Sequence, residues 1–171
     1  MTIDAKTLYQ GSLRNTHAAE TQGLTQMEHQ IGRLEHYPHY IALLRGHIET
    51  TRGQIARLER AMEEVGTSVS PLRESVTNTA GAVGASVHAF FQDETLKNLY
   101  AGYAYQFEQV AAYASLAVIA EEAGFAGHRG WIEQSIREEQ EAARGVEALI
   151  EPVTRTYMKL TEQGEAMAAK N

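Results

Sequence analysis

The sequence contains no cysteine and only three prolines among its 171 residues. The lack of cysteine excludes disulfides, iron–sulfur clusters, thiolate zinc sites and cysteine nucleophiles. Basic residues are outnumbered by acidic ones, 15 to 22, and the resulting net charge of −7 argues against a nucleic-acid-binding domain. No window approaches about eighteen uninterrupted apolar residues, so no transmembrane segment is predicted. The first residues lack the charged start and apolar run of a signal peptide, which favours a cytoplasmic location.

Hydrophobic residues recur at helical spacing along nearly the whole chain, and its length fits one domain over residues 1–171. The packed core is expected over about 13–157, ahead of a polar tail over about 161–171. A first helix is predicted over about 4–35, with Gly11-Ser12 as the point where it could break. A second helix is predicted over about 38–66, because proline suits the first turn of a helix.

The second half of the chain continues with a crossover helix and two long helices, predicted over about 70–91, 93–123 and 126–156. Ser70 and Pro71 would cap and begin the crossover helix, and Gly124 would close the helix after it. Pro152 is expected to kink or end the last helix early. Four long helices joined by one long connection predict an all-α four-helix bundle with one crossover.

Polar residues interrupt the apolar face of each long helix near its middle. Burying such groups costs a few kcal/mol each unless they find partners, so coinciding interruptions on four helices indicate a shared site. Bundle cores build cofactor sites in this way. His17, Glu20, Thr51, Gln106 and Glu139 lie on the apolar lines themselves, and His47, Gln54 and Gln109 lie beside them.

These residues supply few metal ligands. A two-metal carboxylate site typically takes a Glu from each of two helices and Glu-x-x-His from each of the other two. The interior positions provide two carboxylates, Glu20 and Glu139, and no Glu-x-x-His occurs in the sequence. Glu108 cannot replace Gln106, because it lies about 200° around the helix from it. Amide oxygens are neutral and weaker ligands, so the sequence predicts a depleted centre.

Three stretches resemble the ferritin-like family typified by YciE and YciF, namely HAAETQGLTQMEHQIGRLEHYP, HIETTRGQIARLE and DETLKNLYAGYAYQFEQVAAYASL. The resemblance covers roughly residues 13–157. It implies a ferritin-like bundle with a crossover helix between helices two and three. It also implies a protein that is often dimeric, cytoplasmic and associated with stress responses.

Carried over position by position, the resemblance gives a partial metal-binding set. Glu20, His47 and Glu139 match positions that the family keeps. Four other positions are usually acidic in the family and are not acidic in this chain, namely His39, Thr50, Gln106 and Gln109. The resemblance therefore implies an incomplete di-metal centre.

Three functions follow from this reading. The first is a stress-associated structural or binding protein that holds no cofactor. The alternative is a di-metal oxidoreductase or peroxidase-like protein that holds iron or manganese with a rearranged ligand set around Glu20, His47 and Glu139. A binder of a single metal, using the same residues with His17, is the third.

A homodimer is expected, with no nucleic-acid or membrane partner. The family resemblance and the stripes of small residues on the third helix favour the dimer. His29, His36 and His39 are expected to be solvated surface histidines, with a surface metal patch as the other interpretation.

Overall fold

A computed structural model describes residues 4–69 and 94–164. These residues form four long α-helices and one short turn of 3₁₀ helix. The predicted crossover helix over 70–91 and most of the predicted polar tail lie outside the described residues. The helices are α1 (Ala5–Ile31), α2 (Pro38–Glu64), α3 (Glu94–Glu122) and α4 (Arg129–Glu162), with the 3₁₀ turn at Ala126–His128 between α3 and α4.

The helix ends follow from local chemistry. Asp4 caps α1 by accepting a hydrogen bond from the backbone N–H of Thr7 at 2.9 Å. Pro38 occupies the first turn of α2, where its missing N–H is not needed. Gly66 and Gly124 follow α2 and α3 with φ angles of 74° and 84°, which residues with a side chain rarely adopt.

The helices differ from the predicted ones at four points. α1 runs through Gly11-Ser12 without a break and ends at Ile31 rather than near residue 35. α4 begins at Arg129, after the 3₁₀ turn, rather than near residue 126. It also continues through Pro152 to Glu162, because the buried side chains of Val153 and Leu160 hold its last turns against the bundle.

Contacts between helices define how the chain is connected. Tyr113 on α3 bonds Glu20 on α1, whereas Tyr9, nearer the start of α1, packs on Phe125 just beyond the end of α3. α1 and α3 are therefore antiparallel, and so are α2 and α4, which are joined by the hydrogen bond of Gln54 to Glu139. α1 and α2 are antiparallel too, because Gln10 bonds the Val65 carbonyl and Gln30 bonds Tyr40. The end of α2 and the start of α3 therefore lie at opposite ends of the bundle, which is the ferritin-like layout with one crossover.

Two apolar clusters fill the ends of the bundle. The first contains Tyr9, Leu13, Leu58, Met62, Leu116 and Ile132, among others, and the second contains Met27, Leu34, Tyr40, Leu44, Leu99 and Val146, among others. The level between them is occupied by buried polar side chains from all four helices. The fold thus places a polar layer between two hydrophobic cores.

The first cluster is closed by a chain of hydrogen bonds at its outer end. The buried Tyr9 hydroxyl lies 2.7 Å from Nδ1 of His128, and Nε2 of His128 lies 2.7 Å from the exposed Glu64 carboxylate. An ionised Glu64 carboxylate can only accept a hydrogen bond, so His128 donates to it from Nε2. Nδ1 of His128 then accepts a hydrogen bond from the Tyr9 hydroxyl. These hydrogen bonds join α1, α2 and the turn before α4.

None of the described helices is long and apolar enough to cross a membrane.

Candidate functional site

The polar layer draws side chains from all four helices. Each of these residues is at most 6% exposed, so its side chain is almost completely buried. Helical spacing explains the grouping on α2, where three side chains one turn apart share its inner face. The members of the polar layer are Glu20 from α1, His47, Thr51 and Gln54 from α2, Gln106 and Gln109 from α3, and Ser135 and Glu139 from α4.

Glu20 is held by two tyrosines of α3. The Tyr113 hydroxyl donates to its Oε1 at 2.8 Å. The Tyr105 hydroxyl donates to the backbone carbonyl of Ala19 at 2.9 Å and lies 3.5 Å from Oε2 of Glu20. Gly23, one turn further along α1, leaves the space that the Tyr105 ring occupies. The first carboxylate of the layer is therefore already engaged by protein groups.

Burial raises the pKa of Glu20 to about 8, and the nearby charge of Glu139 adds to the increase. Hydrogen bonds from Tyr113 and Tyr105 and the positive charge of Arg57 act in the opposite direction without cancelling it. At neutral pH the protonated, uncharged form of Glu20 therefore predominates. Burial likewise raises the pKa values of Tyr105 and Tyr113, which remain proton donors.

Glu139 belongs to a second chain of contacts that crosses three helices. The Gln54 amide donates to its Oε1 at 2.7 Å, and Nε2 of His47 lies 3.5 Å from the same oxygen. The Gln106 amide nitrogen lies 3.2 Å from Nδ1 of His47. An amide that donates to Nδ1 leaves the imidazole proton on Nε2, facing Glu139. Glutamine thus supports the remaining histidine and carboxylate through neutral contacts.

Arg57 brings a positive charge to the edge of this layer, and the sequence analysis missed it. Its guanidinium donates to the Ser135 hydroxyl at 3.1 Å and pairs with Glu138. Its side chain is 12% exposed, so part of its charge acts through the protein interior. The signal in the sequence was its position three residues after Gln54, which puts both on neighbouring parts of one helix face.

Several buried atoms of the layer and of Arg57 at its edge have no hydrogen-bond partner within the described residues. They comprise three amide oxygens, one hydroxyl, one carboxylate oxygen and two nitrogens. Such atoms normally bind ordered water or an ion, because leaving them bare costs about 1–3 kcal/mol each. The atoms are Oε1 of Gln54, Gln106 and Gln109, Oγ1 of Thr51, Oε2 of Glu139, Nε2 of His47 and Nε of Arg57.

The residues of the layer do not fit a two-metal carboxylate site. Glu20 and Glu139 are its only carboxylates, and each already accepts a hydrogen bond from a neighbouring helix. Within residues 4–69 and 94–164, no group of three His, Asp or Glu side chains is placed to share a metal ion. Two divalent cations would leave most of their charge uncompensated in a low-dielectric interior.

Not every candidate residue lies in the layer. His17, one turn before Glu20, is buried, but its Nε2 lies 3.3 Å from Glu59 on α2. His39 is exposed in the first turn of α2. The Thr50 hydroxyl donates to the backbone carbonyl of Gly46 on its own helix. Among the positions that the resemblance marks as lost acids, only Gln106 and Gln109 therefore face the centre.

The histidines at the other end of α1 are solvated. His29, His36 and His39 are exposed, and His36 lies 3.4 Å from the neighbouring Glu35. This leaves the polar layer as the candidate functional site.

Comparison with known families agrees with this architecture. A family model described as a domain of unknown function, DUF892, matches residues 4–159. The chain belongs to the DUF892 family. The crystal structure of a protein from Xanthomonas campestris pv. campestris superposes with a TM-score of 0.78 at 22% sequence identity, covering 93% of this chain and 99% of that one. At this identity the likeness shows the shared fold alone.

Proposed function

We propose that this DUF892 protein is a stress-associated structural or binding protein of the ferritin-like type, without a working di-metal centre. Its interior polar layer would hold the four helices in register through hydrogen bonds instead of metal bonds. On this proposal no cofactor is needed, and the protein acts in the cytoplasm. The link to stress comes from the family resemblance, and a rise in its abundance under oxidative or osmotic stress would test it.

The proposed loss of the metal centre rests on one observation. Gln106 and Gln109 are 3% and 1% exposed at the middle of α3, on the inner face where carboxylates would be required. Their amides keep the shape and hydrogen bonding of glutamate but carry no charge. With Glu20 largely protonated, at most one of the two interior carboxylates carries a negative charge near neutral pH.

The alternative is a di-metal oxidoreductase with a rearranged ligand set. Oε2 of Glu139 and Nε2 of His47 favour it, because both are buried and have no hydrogen-bond partner in the described residues. Nε2 would bind a metal only after its proton moves to Nδ1. Iron or manganese would be the metal, and Glu20 would have to lose its proton to join the set.

Restoring the missing charge separates the two proposals. The double substitution Gln106→Glu and Gln109→Glu places two carboxylates at the centre and is expected to raise the affinity for Mn²⁺ or Fe²⁺ well above that of the unmodified protein. The matched control is Gln134→Glu with Gln140→Glu, two exposed positions on α4. Calorimetric titration of all three proteins measures the difference. Tight binding of two ions by the unmodified protein would instead favour the oxidoreductase.

We also propose that the protein forms a homodimer and has no nucleic-acid or membrane partner. The net charge of −7 disfavours binding to nucleic acid and to anionic lipid. Light scattering on the purified protein tests the dimer, and a mass equal to one chain would refute it.

A further inference from the structure

The outer face of α3 is short of charge for a helix surface that meets solvent. Between Asn98 and Ala120, Glu108 is the only charged residue. Phe107 and Val118 are 52% and 63% exposed. An apolar helix face of this kind normally marks an interaction surface.

Five of the exposed apolar residues of α3 form one line, which we name the α3 stripe. They follow one another at steps of three, four, three and four residues, so they share a single face of the helix. At 1.5 Å per residue the line is about 21 Å long. The α3 stripe consists of Ala104, Phe107, Ala111, Ala114 and Val118, all exposed.

We propose that a second copy of this chain docks on the α3 stripe, with the two α3 helices antiparallel and the two-fold axis at Ala111. The inference rests on the homodimer proposed above and names the surface that forms it. A two-fold contact uses the same patch on both copies, so that patch must be complementary to itself.

The sizes of the side chains meet this condition only when the helices are antiparallel. Ala104 of each copy then lies opposite Val118 of the other, and Phe107 lies level with Ser115, one residue beyond Ala114. Ala111 meets its own counterpart at the axis, where a methyl group lets the two backbones approach closely. Each large side chain thus faces a small one, as interdigitated helix packing requires. A parallel pair would place Phe107 against Phe107 instead.

The charged residues near the ends of α3 also favour the antiparallel orientation. Lys97 lies near the start of α3, and Glu122 lies at its end, on the same side of the stripe. In an antiparallel pair, Lys97 of each copy comes near Glu122 of the other, on both sides of the axis. A parallel pair would bring like charges together, which weakens association.

A groove of about 330 Å³ between α3 and α4 runs beside the stripe and provides its polar edge. Tyr103 and Phe107 form one wall as an edge-to-face pair with ring centroids 5.0 Å apart. Gln140, Arg144 and Glu147 on α4 line the other side. An apolar centre bordered by polar and charged groups is the usual composition of a protein–protein interface.

The absence of native cysteine allows a direct test by thiol cross-linking. Ala111→Cys places one thiol per chain at the proposed axis, and mild oxidation is expected to give a disulfide-linked dimer in high yield. Arg45→Cys, at an exposed position on α2, is the control and should stay unlinked.

The direction of the helices has its own test. Ala104→Cys and Val118→Cys, oxidised separately, should not link, because equivalent residues would lie about 21 Å apart along the helices. A mixture of the two variants should give the mixed disulfide. Phe107→Glu, which replaces a half-exposed side chain, should keep the helical circular dichroism and weaken the dimer by at least roughly 30-fold.

The outcomes distinguish the two proposals. A dimer by light scattering in which Ala111→Cys does not link would keep the homodimer and overturn the α3 stripe as its interface. A monomer would overturn both. Metal titration is independent of these results, so the proposed loss of the metal centre stands or fails separately.

Discussion

At the scale of single residues, the two buried carboxylates are stabilised in different ways. Glu20 takes hydrogen bonds from tyrosines and keeps a proton, whereas Glu139 takes a hydrogen bond from Gln54 and lies next to His47. The two are close enough for the charge of Glu139 to raise the pKa of Glu20. The raised pKa of Glu20 thus makes the site sensitive to pH.

The raised pKa of Glu20 predicts how stability changes with pH. Between the ordinary carboxyl pKa of about 4.5 and the folded value of about 8, the folded protein binds more protons than the unfolded chain. The contribution of Glu20 to the free energy of unfolding is therefore fully present below about pH 4.5. It is lost as the pH rises to about 8, and the total loss is on the order of a few kcal/mol.

Glu20→Gln tests this prediction, because glutamine is neutral at every pH and nearly the same shape. Urea unfolding at about pH 5 and about pH 8 should show a smaller loss of stability in this variant than in the unmodified protein. Glu141→Gln removes an exposed carboxylate of α4 and serves as the control. An identical pH dependence in Glu20→Gln and the unmodified protein would rule out a neutral Glu20.

The Tyr113 hydroxyl has a separate prediction. Tyr113→Phe removes the donor to Glu20 at 2.8 Å and leaves a buried carboxyl oxygen unpaired, which should lower the free energy of unfolding by about 1–3 kcal/mol. Since that hydrogen bond lowers the pKa of Glu20, its loss should raise this pKa further. The fall in the free energy of unfolding should then occur at higher pH. Tyr157→Phe, at a half-buried position on α4, should have little effect in the same denaturation series.

Helical spacing located the interior positions of the layer but not their partners. Glu20, Gln106 and Glu139 could be placed on inner faces because a helix repeats every 3.6 residues. The bond from Tyr113 to Glu20 joins residues 93 positions apart, and the one from Gln54 to Glu139 joins residues 85 apart. Such pairings depend on the relative rotation and height of different helices, which the pattern within one helix does not fix.

At the scale of helices, α1 and α3 approach closely where Gly23 meets Tyr105. A Cβ added at Gly23 would lie 2.5 Å from the Tyr105 hydroxyl oxygen, inside the contact limit. The missing side chain therefore allows Tyr105 to reach the Ala19 carbonyl and Glu20.

A pair of alanine substitutions separates this packing from intrinsic helix preference. Gly23→Ala should lower the free energy of unfolding by about 1–3 kcal/mol, because the rigid ring of Tyr105 must move. Gly46→Ala, on the exposed face of α2 with no atom within 4 Å of its new Cβ, should raise it by about 0.5–1 kcal/mol. Thermal or urea unfolding of both variants measures the contrast, and a stabilised Gly23→Ala would contradict the close approach.

Helix existence was easier to predict than helix length. The breaks at Pro38 and Gly124 were found because proline and glycine act locally. Pro152 does not end α4, because the cost of one lost backbone hydrogen bond is offset by the burial of Val153 and Leu160 beyond it. That burial comes from other helices and cannot be read from the proline itself.

At the scale of the whole molecule, the all-α bundle expected from the sequence is confirmed. The connectivity of the helices could be predicted from the spacing of the segments. Each pair of helices is joined by a short link, and one long connection joins the two pairs. The polar layer lies where ferritin-like bundles carry their metal ligands, and its composition is the central question about this protein. Too little negative charge faces the interior to balance two divalent cations.

The metal content of the purified protein after loading with iron or manganese and removal of loosely bound ions tests this claim most directly. Elemental analysis against protein concentration is expected to give a ratio near zero metal ions per chain. A ratio near two per chain, lost on Glu20→Gln or Glu139→Gln, would contradict the account.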